Sequence, residues 1–188
     1  SSAKPETIGD GAMPLLTLSL GSNQQADLHI RQALDALQAS FGAMRTSSVF
    51  ESRAVGFDGN NFLNMAVAVD TRTPLTDVST RIKALEDEHG RIRGGARFSP
   101  RTLDIDILTY GDCIGDYQGI VLPRPEITEN AYVLWPLSQV CGDCCDPHSG
   151  LSYATLWQQY DKTRQSLWPV DFDSDLISLP LPCRRRQP

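Results

Sequence analysis

The chain has 188 residues, of which 40% are hydrophobic, so it can bury one ordinary core and is short for two independent domains. Its formal net charge of -6 argues against a nucleic-acid or membrane-surface protein, because both functions need a positive field. No apolar run approaches the roughly 20 residues that span a bilayer, and residues 1–14 lack the apolar stretch of a secretory signal. We therefore expect a cytoplasmic protein that binds neither nucleic acid nor membranes, and we take a monomer as the starting expectation.

Both ends of the chain lack hydrophobic periodicity and are rich in Ser, Gly, Pro and charged residues. Such segments have too little apolar surface to offset the entropy that is lost on ordering. We predict a loose N-terminal tail over residues 1–14, one domain over residues 15–168 and a loose C-terminal tail over residues 169–188.

The predicted domain begins with alternating strand and helix patterns. Residues 15–20 are predicted as a buried strand, and apolar residues at helical spacing predict a helix from Leu28 to Phe41. Residues 44–51 and 62–70 are predicted as strands, the second because apolar residues recur at every other position.

A second helix is sharply delimited by its sequence. Thr73-Pro74 provides an N-cap followed by proline at the first helical position, and Gly90 ends the apolar stripe. After an arginine-rich loop, residues 102–110 are predicted as a strand with period two.

This order of elements predicts the fold class. Strand, helix, strand, strand, helix and strand in succession indicate an α+β protein with a ferredoxin-like βαββαβ core, in which helices pack on one face of an antiparallel sheet. Short helices expected around residues 129–134 and 153–160 would be C-terminal additions to that core.

Two carboxylates stand on the last predicted strand of the core. Asp104 and Asp106 are two positions apart, so they project from one face of the strand while Ile105 faces the other way. Adjacent anions repel when they are partly buried, so the pair indicates a cation between them, and oxygen ligands suit Mg²⁺. For an isolated pair, the alternative is an edge strand with an acidic solvent face.

The loop before this strand is basic in a chain that is acidic overall. It carries Arg91, Arg93, Arg97 and Arg101. Guanidinium groups beside a carboxylate-bound metal can clamp a phosphate, although charge runs are also found on solvated surfaces. Because the P-loop and protein-kinase motifs are missing from the sequence, we predict metal-dependent phosphoryl transfer of another kind.

Three of the five cysteines are crowded into Cys141-Gly-Asp-Cys-Cys145, close to His148. The odd total argues against a disulfide framework. Zinc binding is an alternative, but the usual separated CxxC pairs are missing, and we assign the cluster no role.

Short sequence blocks over residues 15–160 form a series that resembles one enzyme family. The blocks are Leu20-Gly-Ser-Asn23, Gly56-Phe57, Phe62-Leu-Asn64, Gly90-Arg91-Ile-Arg93, Pro100-Arg-Thr-Leu-Asp-Ile-Asp106, Leu122-Pro123 and Asn130-Ala-Tyr-Val-Leu-Trp-Pro-Leu137. Together they resemble the 6-hydroxymethyl-7,8-dihydropterin pyrophosphokinases of folate biosynthesis, and the block that contains the two aspartates is the most specific.

The resemblance implies the ferredoxin-like fold and the transfer of a pyrophosphoryl group from ATP to the pterin hydroxymethyl group, with release of AMP. It implies two Mg²⁺ ions held by Asp104 and Asp106, and mobile loops over residues 52–61 and 91–100. By the same resemblance, the catalytic residues are Arg91 and Arg101, the pterin-binding residues are Ser52, Val55, Phe62, Asn64 and Tyr132, and the ATP-binding residues are Glu86, Arg93, Phe98, Arg101, Ile107 and Arg124.

The chain departs from the family pattern mainly on the nucleotide side. Arg124 stands where histidine is common, Asn130 where arginine is common, Phe98 where tryptophan is usual and Tyr132 where the pattern has phenylalanine. Without the resemblance, core packing would explain the aromatic residues. The loss of a guanidinium at Asn130 leaves open a catalytically weakened pterin-binding paralogue, and another Mg²⁺-dependent phosphotransferase on the same fold also remains an alternative.

Overall fold

The computed structural model of the protein describes residues 13–53, 61–90 and 102–172. In these ranges a six-stranded sheet, a short hairpin and five helices are formed. The elements are β1 (Leu15–Ser22), α1 (Ala26–Phe41), β2 (Arg45–Thr46), β3 (Val49–Ser52), β4 (Phe62–Asp70), α2 (Leu75–Gly90), β5 (Asp104–Tyr110), β6 (Gly115–Tyr117), β7 (Ile120–Leu122), α3 (Glu126–Glu129), α4 (Ala131–Cys141), α5 (Tyr153–Gln159) and β8 (Leu167–Val170).

The large sheet is antiparallel, as the sequence predicted. Its strand order is β5-β1-β4-β3-β8, and β2 pairs with β4 as well. The two central strands, β1 and β4, pair along their full lengths, from Leu15 opposite Asp70 to Ser22 opposite Leu63. They form the middle of the sheet.

The segment predicted as a single strand over residues 44–51 is divided into β2 and β3. Ser47 lies at the division, where its backbone N–H donates to the carbonyl of Ala66 at 2.9 Å. The N–H of Ala66 donates in return to the hydroxyl of Ser47 at 2.8 Å rather than to a carbonyl. Because a side chain replaces a backbone acceptor here, the regular ladder is interrupted.

Helices cover both faces of the sheet. Leu18, Met65 and Ile105 belong to a core cluster that includes buried residues of α1 and α2. On the opposite face, Ala66 and Leu108 pack with buried residues of α3, α4 and α5. The predicted packing of helices on one face holds for α1 and α2. The later helices α3, α4 and α5 cover the opposite face, for which no helices were predicted.

A β-bulge changes the alternation of side chains along β5. Thr17 pairs with Thr109 and Leu18 with Ile107, so Leu108 is the extra residue. Leu108 packs in the α4 cluster, and the hydroxyl of its neighbour Thr109 hydrogen-bonds that of Thr17 at 2.6 Å. The predicted period of two therefore describes β5 as far as Ile107 and fails beyond it.

The chain continues as ordered structure beyond the end of the predicted domain. Residues 169–172 were predicted as part of the loose C-terminal tail, but β8 runs to Val170 and pairs with β3. Phe172 packs against the α1 and α2 core, with the guanidinium of Arg31 5.2 Å from the centre of its ring. Among the helices of the described ranges, none has the length and apolar character needed to cross a membrane.

Candidate active site

A polar row crosses the middle of the sheet. Asp104 on β5, Gly21 on β1 and Asn64 on β4 are direct neighbours in register, and Asp106 lies beside Ser19 two positions along the strand. Because neighbouring strands are about 4.8 Å apart, the backbones at Asp104 and Asn64 are separated by about 10 Å. The carboxylates and the amide therefore flank a strip of sheet with small side chains.

This row faces the side of the sheet that carries α4. Ala66 and Ala68 lie on the same face of β4 as Asn64 and pack beneath the helix, whereas Leu63 and Met65 face α1 and α2. Asp104 is exposed and Asp106 is partly exposed. The same-face placement that the sequence predicted for the two aspartates is present, and Asn64 shares their face.

Gly21 makes room for the side chain of Asn64. A Cβ atom at position 21 would lie 2.8 Å from Asn64 Oδ1, which is closer than real Cβ contacts come. Asn64 itself is only 8% exposed, so its amide cannot easily turn away. In the sequence, Gly21 stands out only as part of the Leu20–Asn23 block, because its contact with Asn64 depends on the register of β1 and β4.

The remaining predicted pterin residues within the described ranges lie on the same side. Ser52 pairs directly with Phe62 across β3 and β4. Tyr132, in the first turn of α4, is partly buried against the α4 cluster. Burial raises the pKa of Tyr132, with further contributions from the charges of Glu126, Asp106 and Tyr160. Its hydroxyl is therefore protonated at neutral pH and can donate a hydrogen bond toward this face.

Arg124 joins the carboxylate pair to a third acid. Its Nη2 atom lies 3.5 Å from Asp106 Oδ1, and its Nε atom lies 3.2 Å from Glu126 Oε2. The three side chains are between 36% and 44% exposed, so each ion pair contributes at most about 1 kcal/mol and exchanges readily for a ligand. The sequence assigned Glu126 no role, although Glu126 stands where the family pattern has arginine and carries the charge opposite to that of Arg124.

Besides Arg124, two predicted ATP-binding residues lie within the described ranges. Glu86 on α2 accepts a hydrogen bond from the backbone N–H of Ile105, with an N to Oε2 distance of 3.3 Å. The side chain of Ile107 is buried in the α1 and α2 core, away from the two aspartates. A nucleotide could therefore meet Ile107 only through its main chain.

Asn130, which stands where arginine is common in the family, holds Gln165 against the first turn of α4. Its Oδ1 accepts a hydrogen bond from Gln165 Nε2 at 3.0 Å, and Gln165 Oε1 accepts one from the N–H of Ala131 at 2.8 Å. Gln165 thus satisfies one of the free donors at the start of α4, next to Tyr132. The departure at Asn130 has a structural use on this side of the molecule.

Several predicted site residues lie outside the described residues. These are Val55, Arg91, Arg93, Phe98 and Arg101. Within the described ranges, no three His, Cys, Asp or Glu side chains are grouped to hold a metal ion. Two carboxylates alone suit Mg²⁺, which completes its coordination with water and substrate phosphates.

The fold and this face together define an α+β protein in which a carboxylate pair and a nearly buried amide share one face of an antiparallel sheet. Residues 17–142 match the family model described as 7,8-dihydro-6-hydroxymethylpterin-pyrophosphokinase (HPPK). The chain belongs to this family.

Individual relatives agree with the family match. The 2-amino-4-hydroxy-6-hydroxymethyldihydropteridine pyrophosphokinase of Synechocystis is 33% identical over 135 residues, which cover 72% of this chain and 68% of that protein. The Bacillus subtilis enzyme of the same name is 34% identical over 128 residues, covering 66% and 76%.

A solved structure supports the fold. The wild-type Plasmodium falciparum HPPK-DHPS with pteroate superimposes with a TM-score of 0.62 at 14% identity. The match covers 81% of this chain and 45% of that one, so the chain spans less than half of the larger protein.

Proposed function

We propose that this chain transfers the pyrophosphoryl group of ATP to the hydroxymethyl group of 6-hydroxymethyl-7,8-dihydropterin, with release of AMP, at the α4 face of the sheet. Family membership supports the reaction. The location is supported by one observation: Asp104, Asp106 and Asn64 lie on the same face of the sheet. The backbone of Asp104, at the proposed phosphate-binding end, is about 10 Å from that of Asn64, at the proposed ring-binding end.

The carboxylate pair forms the phosphate end. Asp104 and Asp106 offer only oxygen ligands from one face, which fits Mg²⁺, and these two residues would hold it. When bound, the metal would neutralise charge on the phosphate oxygens and help to align ATP. The number of ions, two in our interpretation, follows from the family resemblance.

In this proposal the ion-pair partners of Arg124 change when ligands bind. Without ligands it pairs with both Asp106 and Glu126. When Asp106 is engaged by a metal, Glu126 retains the guanidinium beside the site, where it can turn toward the triphosphate. Arg124 therefore substitutes for part of the positive charge that the family pattern places at position 130.

The ring end consists of Asn64, Ser52, Phe62 and Tyr132. The Asn64 amide offers both a donor and an acceptor to the polar edge of a pterin. The protonated Tyr132 hydroxyl adds a donor that phenylalanine lacks. The hydroxymethyl oxygen attacks the β-phosphorus and gives up its proton to solvent, while the bond between the β-phosphorus and the bridging oxygen breaks and AMP leaves with that oxygen. The roles of these residues are mainly to orient the two reactants.

The remaining assignments complete the proposal. Arg91 and Arg101 act in catalysis, and Val55, Arg93 and Phe98 contact the substrates. The strand order β5-β1-β4-β3 with α1 and α2 supports a ferredoxin-like core, to which α3, α4 and α5 are additions. We propose a monomer in the cytoplasm.

Product identity tests the function. Incubation with ATP, Mg²⁺ and the hydroxymethyl dihydropterin should release AMP. Asp106→Asn should lower turnover by at least about 100-fold, because it removes charge stabilisation at the transferring group. Asp70→Asn, at an exposed carboxylate on the far end of β4, is the matched control and should retain full activity.

The alternatives give different results. A binding paralogue would bind the pterin in calorimetry but release no AMP above background, and another phosphotransferase would release ADP or use a different acceptor. Full activity of Asp106→Asn would refute the assigned site while leaving the reaction itself intact.

A further inference from the structure

Cys141 and Cys144 are held side by side at the C-terminal end of α4. The N–H of Cys144 donates to the carbonyl of Cys141 at 3.0 Å, which closes a turn. Such a turn keeps the two Cα atoms within about 7 Å, and disulfides need about 4.4–6.8 Å. The two side chains share one environment as well, because Cys141 belongs to the buried α4 cluster and Cys144 packs against that cluster.

The two thiols differ in access to solvent. Cys141 is 5% exposed and packs in the α4 cluster, whereas Cys144 is partly exposed at its edge. A reagent in solution can therefore reach Cys144 first. Cys141 is placed to react second, from within the protein.

The surroundings favour a thiolate on Cys144. The hydrogen bond from Cys141 lowers the pKa of Cys144 to about 7, helped by the charge of Arg45 on β2 and opposed by burial and by Asp143 and Asp112. The same hydrogen bond, with burial, raises the pKa of Cys141. The charge therefore resides on the more accessible sulfur, which is the arrangement that makes a cysteine nucleophilic.

We propose that Cys141 and Cys144 form a reactive dithiol site that exchanges with low-molecular-weight disulfides and closes to an intramolecular disulfide. The Cys144 thiolate attacks one sulfur of the external disulfide, forms a mixed disulfide and releases one thiolate. Cys141 then loses its proton, attacks the Cys144 sulfur and releases the second thiolate. Two protein thiols are oxidised and one external disulfide is reduced to two thiols.

The site is independent of the proposed catalytic face. It lies at the opposite end of α4 from Tyr132, and the pyrophosphoryl transfer does not require it. The ring contains only two intervening residues, so closing it constrains little of the chain. We therefore expect oxidation to alter thiol chemistry without unfolding the protein.

Redox equilibration tests the proposal. The reduced full chain would be equilibrated with mixtures of reduced and oxidised glutathione, alkylated with iodoacetamide and mapped by mass spectrometry. The Cys145→Ser variant serves as background, because Cys145 is adjacent to Cys144 and would confuse the mapping. We expect a Cys141–Cys144 disulfide in this background, and its loss in Cys141→Ser and Cys144→Ser.

Two results would overturn the proposal. One is that both thiols stay reduced in oxidised glutathione. The other is that glutathione remains attached to Cys144 without resolution by Cys141. The Cys113 peptide reports the extent of alkylation at a cysteine outside the pair in the same digests.

The pH dependence of alkylation tests the activation of Cys144 by Cys141 separately from the closing of the disulfide. In the Cys145→Ser background, the alkylation rate of Cys144 should rise with pH with a midpoint near pH 7. The Cys141→Ser variant should keep a low midpoint, because serine can still donate a hydrogen bond to Cys144. Cys141→Ala should raise the midpoint and slow alkylation at pH 7 by about threefold, since the gain in nucleophilicity partly offsets the smaller thiolate fraction. An unchanged profile in Cys141→Ala would contradict the proposed activation.

Discussion

Gly21 shows how a missing side chain shapes the proposed ring-binding end. The residue lies between Asp104 and Asn64 in the sheet, and its lack of a Cβ leaves space for the Asn64 amide. Since Asn64 is nearly buried and its Oδ1 occupies the space that a Cβ at position 21 would need, the amide is confined beside the backbone of β1.

We predict that Gly21→Ala weakens pterin binding by about tenfold and destabilises the fold by about 1–3 kcal/mol, because the added methyl forces Asn64 from its position. Calorimetric pterin titration and urea unfolding measure the two effects. The control is Gly21→Ala combined with Asn64→Ala. Because the clash is with the Asn64 side chain, the stability costs should be strongly non-additive, and simple additivity would contradict the explanation.

The residues of the site differ in how far sequence could predict them. Asp104 and Asp106 followed from period two on a single strand, so their common face required only local information. Gly21 and Asn64 are 43 positions apart, and their contact depends on the register of β1 and β4. Glu126 required knowledge of which way Arg124 turns, which no local pattern fixes.

At the scale of elements, α1 and α2 meet through a histidine pair. His29 Nδ1 and His89 Nδ1 are 2.7 Å apart, so one ring donates and the other accepts. Burial lowers the pKa of both residues, and the charge of His29 lowers that of His89 further, against a smaller opposing effect of Glu88. The hydroxyl of Thr102 also bonds the carbonyl of His89, which connects the end of α2 with the approach to β5.

We predict that this pair makes stability fall as the pH falls below about 6.5. Both pKa values are depressed in the folded state, so the unfolded chain takes up protons first and unfolding becomes more favourable. Urea unfolding at pH 7.5 and 5.5 measures the change. His29→Gln should lose less stability over this interval than the parent.

His148→Gln is the matched control, since His148 is exposed and lies far from the pair in sequence. It should show the same pH dependence as the parent. Equal losses in the parent and in His29→Gln would contradict the assignment.

The elements also show where sequence patterns were sufficient. β4 occupies the residues predicted for it, and α1 and α2 end at the predicted residues, because each is long and strongly periodic. In contrast, α4 was expected only around residues 129–134 but runs from Ala131 to Cys141. Its apolar residues surround the helix and include Pro136, so neither its face nor its end was marked.

At the scale of the whole molecule, the C-terminal segment completes the sheet. β8 pairs with β3, the strand that also carries Ser52, and Trp168 Nε1 donates to Glu51 Oε2 at 3.1 Å. Without β8, one side of β3 would lose its ladder partner next to the proposed ring-binding end. Four-residue strands such as β8 have too little pattern to be predicted from sequence.

We predict that truncation after Ser166 destabilises the protein by about 2–4 kcal/mol, since it removes the β8 ladder and the packing of Phe172. Pterin affinity should fall with it. Truncation after Phe172 keeps β8 and is the control; it should unfold at the same urea concentration as the full chain. A loss of stability in this control would show that residues 173–188 contribute to the fold, against the predicted loose tail.

The bulge at Leu108 has a consequence for comparing this chain with its relatives. Before it, odd-numbered residues of β5 face α1 and α2; after it, Tyr110 does so instead. If a relative lacked the extra residue, its aspartates would align with Asp104 and Asp106, but its residues after the bulge position would align one position away from their structural equivalents. Substitutions there should therefore be judged by the face that each residue occupies rather than by its count from the aspartates.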